Sequence, residues 1–459
     1  MTIESARPEL RAALALVEAQ IEGEREDSQI PGISAAVVLD QEVVWARGFG
    51  LASLEARTPA DPQTIYRIGS ITKLFTATML MHLRDAGKVQ LDDPIERYLP
   101  EFRIRSRFPD ARPSTFRQVA SHTAGLPREA PLDYWQTLEF PTFEAILASL
   151  ADAEMTYSSL TEFKYSNLGV AAIGHALARI AGQSYEEYVA EQILTPLGMH
   201  RTGFHLTDQM RVRAAVGYTT MKGKPPQVAP HPDVRGLAPA GQLYSSVEDI
   251  ARFISLQFRD GPASGAQVLG GATLREMRSP VFMNPNWKGG MAIGWMLGQV
   301  ADHVTIGHGG GIHGFSTDIT LVPDLKLGIA VFTNTGCEPH AIGESVLKVL
   351  IPMVSREAIR QARAAEVAAA PEWRKYVGRY DARGLGEEVE VKVVDERLVI
   401  AADDIPAGAI DVTSILRPEG GHAFRTRGGP VPGELAVFEL DDAGNVARLR
   451  MGPFVFERR

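Results

Sequence analysis

The chain has a single cysteine, Cys337, in 459 residues. No intrachain disulfide can form, so the fold does not depend on an oxidising compartment. No apolar run approaches the roughly 20 residues that a membrane-spanning helix requires. Cations are in deficit. The 47 Lys and Arg against 56 Asp and Glu leave a formal charge of −9. That balance speaks against a nucleic-acid surface, which needs clustered Lys and Arg, and against anionic membranes. The opening "MTIESARPELRAALALVEAQ" carries early acids and no unbroken apolar core. It reads as an amphipathic helix rather than a signal peptide, and the expected location is cytoplasmic. What remains is globular: 45% hydrophobic and 22% charged residues, enough for a large core in two or three domains.

Apolar periodicity organises the chain. "GISAAVVLDQEVVWARGFG" (32–50) is rich in β-branched residues and reads as two strands joined near Asp40-Gln41. "RIGSITKLFTATMLMHLRDAG" then reads as a helix apolar on most sides, with Gly87 as its stop. Helical signals recur at 116–121, 142–153, 167–181, 185–193 and 247–257. Strands return in "HVTIGHGGG", "GFSTDITLVPD" and "LKLGIAVFTNTG", the last two as a hairpin around Pro323-Asp324, and a final helix spans about 341–359. Strands at both ends and helices in the middle predict an α+β unit: one antiparallel sheet flanked by helices, with a helical subdomain. An Ala- and Arg-rich stretch ending at Pro371 marks a boundary. The expected domains are 1–368 and a small all-β domain of meandering strands at 372–459.

Three short motifs carry candidate chemistry. Ser70-Ile-Thr-Lys73 places a hydroxyl and an amine three residues apart, on one face if a helix begins at Ser70. A serine at a helix N-terminus meets free N–H groups, and a desolvated lysine beside it can take a proton. The alternative is a helix cap with an incidental charge. A second Ser-x-x-Lys, Ser345 to Lys348, sits inside a predicted helix and is read as chance. Tyr165-Ser166-Asn167 precedes a helical run, where a phenol and an amide two residues apart can point the same way; a plain cap by Ser166 or Asn167 is the competing reading. "HGGGIHG" (308–314) lies between strands. No Gly-Lys-Ser/Thr follows, against a phosphate loop. A metal site from His308 and His313 lacks a third ligand at suitable spacing. A substrate-binding edge strand is the remaining reading, because glycine lets a ligand or backbone come close.

The order Ser-x-x-Lys, Tyr-x-Asn, His-Gly-Gly resembles the serine β-lactamase and penicillin-binding-protein superfamily. It is most similar to the branch of class C β-lactamases, D-aminopeptidases and related esterases. "SHTAGLP" (121–127), "LTPLGM" (194–199) and "APAGQLYSSVEDIARF" (238–253) agree, and the resemblance runs from about Pro8 to Leu350. It implies a β-lactamase/transpeptidase-like fold with a lipocalin-like C-terminal appendage. It implies Ser70 as acylated nucleophile, Lys73 as its activator and Tyr165 as proton shuttle. Asn167 and His308 would bind substrate, Gly310 would belong to the edge strand, and the N–H groups of Ser70 and Gly311 would form an oxyanion hole. No cofactor and no metal are implied. The substrate would be a small ester, amide or peptide-like molecule, and a homo-oligomer is compatible with the pattern.

Two departures bear on substrate. His308 stands where class C enzymes carry lysine, and histidine is mostly neutral at pH 7. After the last strand the chain reads "TNTGCEPH", so Glu338 falls where an arginine would meet a substrate carboxylate. The expected activity is therefore an esterase-like hydrolase, with a β-lactamase or D-amino-acid peptidase, or a non-catalytic scaffold, as alternatives. No Gly-x-Ser-x-Gly elbow competes for the nucleophile role; "GISAA" and "GFSTD" are near misses. His122 reads as a structural histidine or a base, Tyr134, Trp135 and Trp287 as pocket or core, and Cys337 as inert.

Overall fold

The computed structural model describes residues 8–220, 224–261, 266–364, 370–382, 387–394, 396–402, 414–429 and 431–459. Two compact units result, Met1–Ser355 and Arg356–Arg459. The expected boundary at 368 falls outside the described residues.

The first unit is organised by one nine-stranded antiparallel sheet. Strand Gly32–Leu39 is third from one end, paired on one side with Glu42–Ser53 and on the other with Leu327–Thr333. Ile33 lies opposite Thr333 and Leu39 opposite Leu327, so the early and late parts of the chain close the sheet together. Strands Phe315–Val322 and His303–Ile312 follow outward. The hairpin turn between the last two strands is a 3₁₀ turn, Pro323–Leu325, closed by Lys326 at φ +49°.

"GISAAVVL" does not alternate polar with apolar because both faces of the strand are covered. Ile33, Ala35 and Val37 pack with Leu14, Val17 and Ile21 of helix Pro8–Asp27 and with Val346 and Leu350 of helix Pro339–Ala364. Ala36 and Val38 face the other core, which holds Leu74 and Phe75 of helix Thr72–Asp85 and Ile250 and Phe253 of helix Val247–Gln257. The helices read at 167–181 and 247–257 form over those residues. Ser166 caps the first by accepting from the Gly169 N–H at 2.9 Å, and Gly182 at φ +75° ends it. The helix expected to begin at Ser70 begins instead at Thr72, behind a 3₁₀ turn, Gly69–Ile71.

Asn334, in the stretch after the last central strand, is a clamp. Its side-chain oxygen accepts from the Gly32 N–H at 2.7 Å, and its amide nitrogen donates to the carbonyls of Leu51, Ala52 and Val216 at 3.1, 3.2 and 3.1 Å. The residue is fully buried. Among the described residues, no helix is long and apolar enough to cross a membrane.

The second unit is a closed barrel of eight strands, Gly378–Ala382 to Phe454–Arg458, in sequential antiparallel order. Its first and last strands pair at Tyr380 and Arg458. That is the up-and-down barrel architecture of the lipocalins. Tyr376 stacks on Phe438 at 4.3 Å inside it, with Phe424 edge-on to both.

Asn334→Ala is expected to cost about 3 kcal/mol in urea unfolding, because it orphans several buried backbone groups at once. A cost below about 1 kcal/mol would contradict the clamp.

Candidate active site

Ser70 reaches its position through glycine. Gly69 takes φ +49°, and a Cβ there would lie 2.9 Å from the Gly311 nitrogen. A Cβ on Gly310 would lie 2.0 Å from the Ile68 carbonyl oxygen and 2.3 Å from Thr317 Oγ1. The edge of strand His303–Ile312 therefore lies directly on the turn that carries Ser70. Thr317 Oγ1 fastens the contact by donating to the Ile68 carbonyl at 3.0 Å. Of the three glycines at 309–311, Gly310 is the one this approach requires, since a Cβ on Gly309 or Gly311 would meet no such clash. The result puts the backbone of Gly311 beside the serine, as an oxyanion site requires.

Lys73 is the second residue of the helix, three residues past Ser70, and is 2% exposed. Its Nζ donates to Ser70 Oγ at 3.0 Å and to the Ala240 carbonyl at 2.7 Å. It also sits 4.9 Å from the centre of the Tyr165 ring. Burial pushes the amine down to about 7; Glu129 resists the shift and Arg128 adds to it. A lysine so placed is neutral for a large fraction of the time near pH 7 and can accept the Ser70 proton.

Tyr165 moves the opposite way. Burial of the phenol pushes its pKa up, while a hydrogen bond with Ser70 and the Arg128 guanidinium pull it back. The phenol is thus protonated at rest. Its ring lies 4.3 Å from that of His122 and 5.1 Å from the Arg128 guanidinium carbon. His122 is a fixed support: it takes φ +56°, and its Nδ1 accepts from the Ser166 N–H at 3.1 Å. Burial, reinforced by Lys73, His308 and Arg128, holds its pKa well below the usual value.

His308 is buried, with its ring 6.2 Å from that of Tyr165. Its Nδ1 donates to the Gly309 carbonyl at 2.7 Å, and its Nε2 is buried without a partner. Burial and the nearby Lys73 push it down to about 4, so it brings no charge to the site at neutral pH. His313 turns to a different neighbour, Trp135, at 5.8 Å between rings. Among the described residues, no group of three or more His, Cys, Asp and Glu is placed to hold a metal ion.

Asn167 donates through Nδ2 to Glu129 Oε1 at 2.5 Å. Glu129 also accepts from the Tyr134 hydroxyl at 2.8 Å and lies 3.5 Å from Arg128 Nε. Glu129 and Arg128 are the site residues that sequence reasoning missed. The available signal was a charged pair, "RE", directly after "SHTAGLP" and before Pro131.

The remaining candidates separate cleanly. Tyr134 is buried, Trp135 lines the cleft beside Ser70, and Trp287 is exposed. Lys348 pairs with Glu344 at 2.7 Å, and Ser345 meets Gln20, so the second Ser-x-x-Lys makes no such couple. Burial raises the Cys337 thiol, which lies 3.2 Å from Thr333 Oγ1. Glu338 is exposed. A larger cavity, about 750 Å³, lies among Asp61, Thr195, Glu248 and Arg252, and none of the residues around Ser70 lines it.

A family model described as Beta-lactamase matches residues 17–344. Beta-lactamase-like protein 2 of Dictyostelium discoideum is 30% identical over 356 residues, covering 75% of this chain and 64% of its own length. Protein flp of Staphylococcus aureus is 26% identical over 318 residues, 69% of this chain and 62% of that one. This chain thus spans less than two thirds of either relative. Among solved structures, the octameric penicillin-binding protein homologue from Pyrococcus abyssi is similar at TM-score 0.64 and 27% identity, over 96% of this chain and 99% of that chain. A class C beta lactamase from Rhodobacter sphaeroides shares the fold at TM-score 0.61 and 22% identity, over 74% and 99%.

His303–Ile312 is an interior strand of the sheet rather than the expected edge strand, and its end beyond Gly307 extends past its pairing with Met296–Val300. Gly310→Ala is expected to push that end off the Ile68–Ser70 turn and to slow labelling of Ser70 by a fluorophosphonate at least about 100-fold, the cost typical of losing an oxyanion donor. Labelling at the wild-type rate would contradict the close packing described.

Proposed function

We propose that this chain, which belongs to the beta-lactamase family, is a serine hydrolase that forms an acyl-enzyme on Ser70 and acts on uncharged esters in preference to β-lactams. The observation that carries the reading is the 3.0 Å contact between Ser70 Oγ and a lysine amine whose pKa is pushed down to about 7.

The reaction follows from the protonation states. Neutral Lys73 takes the Ser70 proton as Oγ attacks the ester carbonyl. The N–H groups of Ser70 and Gly311 receive the charge that develops on the carbonyl oxygen. Tyr165, protonated at rest, gives its proton to the leaving oxygen as the carbonyl–oxygen bond breaks. Lys73 then returns a proton to Tyr165. Water attacks the acyl-enzyme, and the same pair passes its proton to the departing Ser70 Oγ. Asn167, held by Glu129, orients the carbonyl side of the substrate.

The preference for esters rests on charge. His308 is neutral where an ammonium would attract a carboxylate, and Glu338 carries the opposite sign. We assign the activity to 1–368 and regard 372–459 as a separate lipocalin-like domain.

Ser70→Ala is expected to lower turnover of p-nitrophenyl butyrate by about four to six orders of magnitude. It is also expected to abolish the single fluorophosphonate adduct seen by intact mass. The wild type should turn over the ester faster than nitrocefin. An active Ser70→Ala would overturn the nucleophile assignment, and faster nitrocefin hydrolysis would overturn the ester preference.

A further inference from the structure

The cleft beside Ser70 is small and one-sided. Its volume is about 60 Å³, room for about four to six water-sized atoms at roughly 10–15 Å³ each. Ser70 and Asn167 lie on its polar side, and Trp135, Phe140, Leu237 and Ile312 supply apolar walls. Lys73, Tyr165 and His308 are absent from its lining. That absence assigns the cleft to one half of the substrate. Tyr165 protonates the leaving oxygen, so the leaving group lies on the side of Ser70 that holds Lys73, Tyr165 and His308. The acyl group lies on the other side, against Gly311 and Trp135. Arg128 also borders the cleft, but Glu129 at 3.5 Å offsets its charge.

Trp135 is the one of these four apolar walls that reaches solvent. It belongs to a one-turn helix, Tyr134–Thr137, which Glu129 anchors through the Tyr134 hydroxyl. The indole stands edge-on to Phe140 at 5.1 Å and remains 39% exposed, so one face is cleft wall and another is solvent. Truncating it opens the cleft without hollowing the core. Gly241 offers the opposite change. It lines the same cleft, and a Cβ there would meet only the Gly69 carbonyl carbon at 4.0 Å.

We propose that this cleft is an acyl pocket for short, uncharged acyl groups of about two to four carbons, and that Trp135 is the residue that limits their length. The proposal rests on the acyl-enzyme reading above. The test is the kcat/KM series for p-nitrophenyl acetate, butyrate, hexanoate, octanoate and decanoate. The wild type should lose about 10- to 100-fold between butyrate and octanoate, the discrimination that a few methylenes provide in an apolar pocket. Trp135→Ala should raise the octanoate-to-butyrate ratio about tenfold or more, and Gly241→Val should lower the butyrate-to-acetate ratio. A wild type that prefers octanoate overturns the proposal. So does an unchanged ratio in a Trp135→Ala protein whose near-ultraviolet circular dichroism is native. Fluorophosphonate labelling separates the two levels: a labelled Ser70 with unmoved ratios removes only the pocket, whereas an unlabelled Ser70 removes the acyl-enzyme reading with it.

Discussion

Removing the Lys73 amine from water is the constraint on which the site depends. An ammonium in bulk solvent titrates near 10.4 and cannot serve as a base at neutral pH. Here the amine is 2% exposed and is held by a serine hydroxyl and a backbone carbonyl, neither of which carries a charge to compensate it. The neutral form gains accordingly. The same dryness keeps Tyr165 protonated and His308 neutral. One property of the environment thus drives a base down and an acid up, separating two roles that would otherwise compete. Glu129 and Arg128 adjust the balance from opposite signs, since the first favours charge on Lys73 and the second opposes it.

That arrangement needs the end of the His303–Ile312 strand close to the helix start, and the closeness is a matter of backbone. Gly69 and Gly310 bring two main chains to a separation that a side chain at either position would not allow. The contact is the product of long-range assembly. The Gly32–Leu39 strand pairs with Leu327–Thr333, and Phe315–Val322 and then His303–Ile312 follow on that strand's other side. Asn334 secures that junction by joining Gly32, the Leu51–Ala52 segment and Val216 through a single buried amide.

Local signals were readable wherever local physics decides. β-Branched runs set the central strands, and helical periodicity set the helix at 167–181. Ser70, Lys73 and Tyr165 were legible because their spacing matches a known order of motifs, and the structure brings all three together. The 3₁₀ turn at Ser70 was not legible, because Gly69 adopts its positive φ against a strand more than 200 residues away in sequence. Glu129 was missed for a similar reason. Its partner Asn167 lies 38 residues further on, and nothing in "PREAP" announces that distance. Asn334 was not legible as a structural clamp, since its four partners belong to three separate segments.

The central claim is the protonation state of one amine, and it is open to direct titration. In protein labelled with ¹³C at lysine Cε, the Lys73 resonance is identified by its loss in Lys73→Arg and followed against pH. The folded-state pKa is depressed, so the neutral form should dominate above the midpoint and the ammonium below it. The account predicts a midpoint at about 7. A midpoint near 10, the ordinary value for a solvated lysine, would leave Ser70 without its base and would contradict the account.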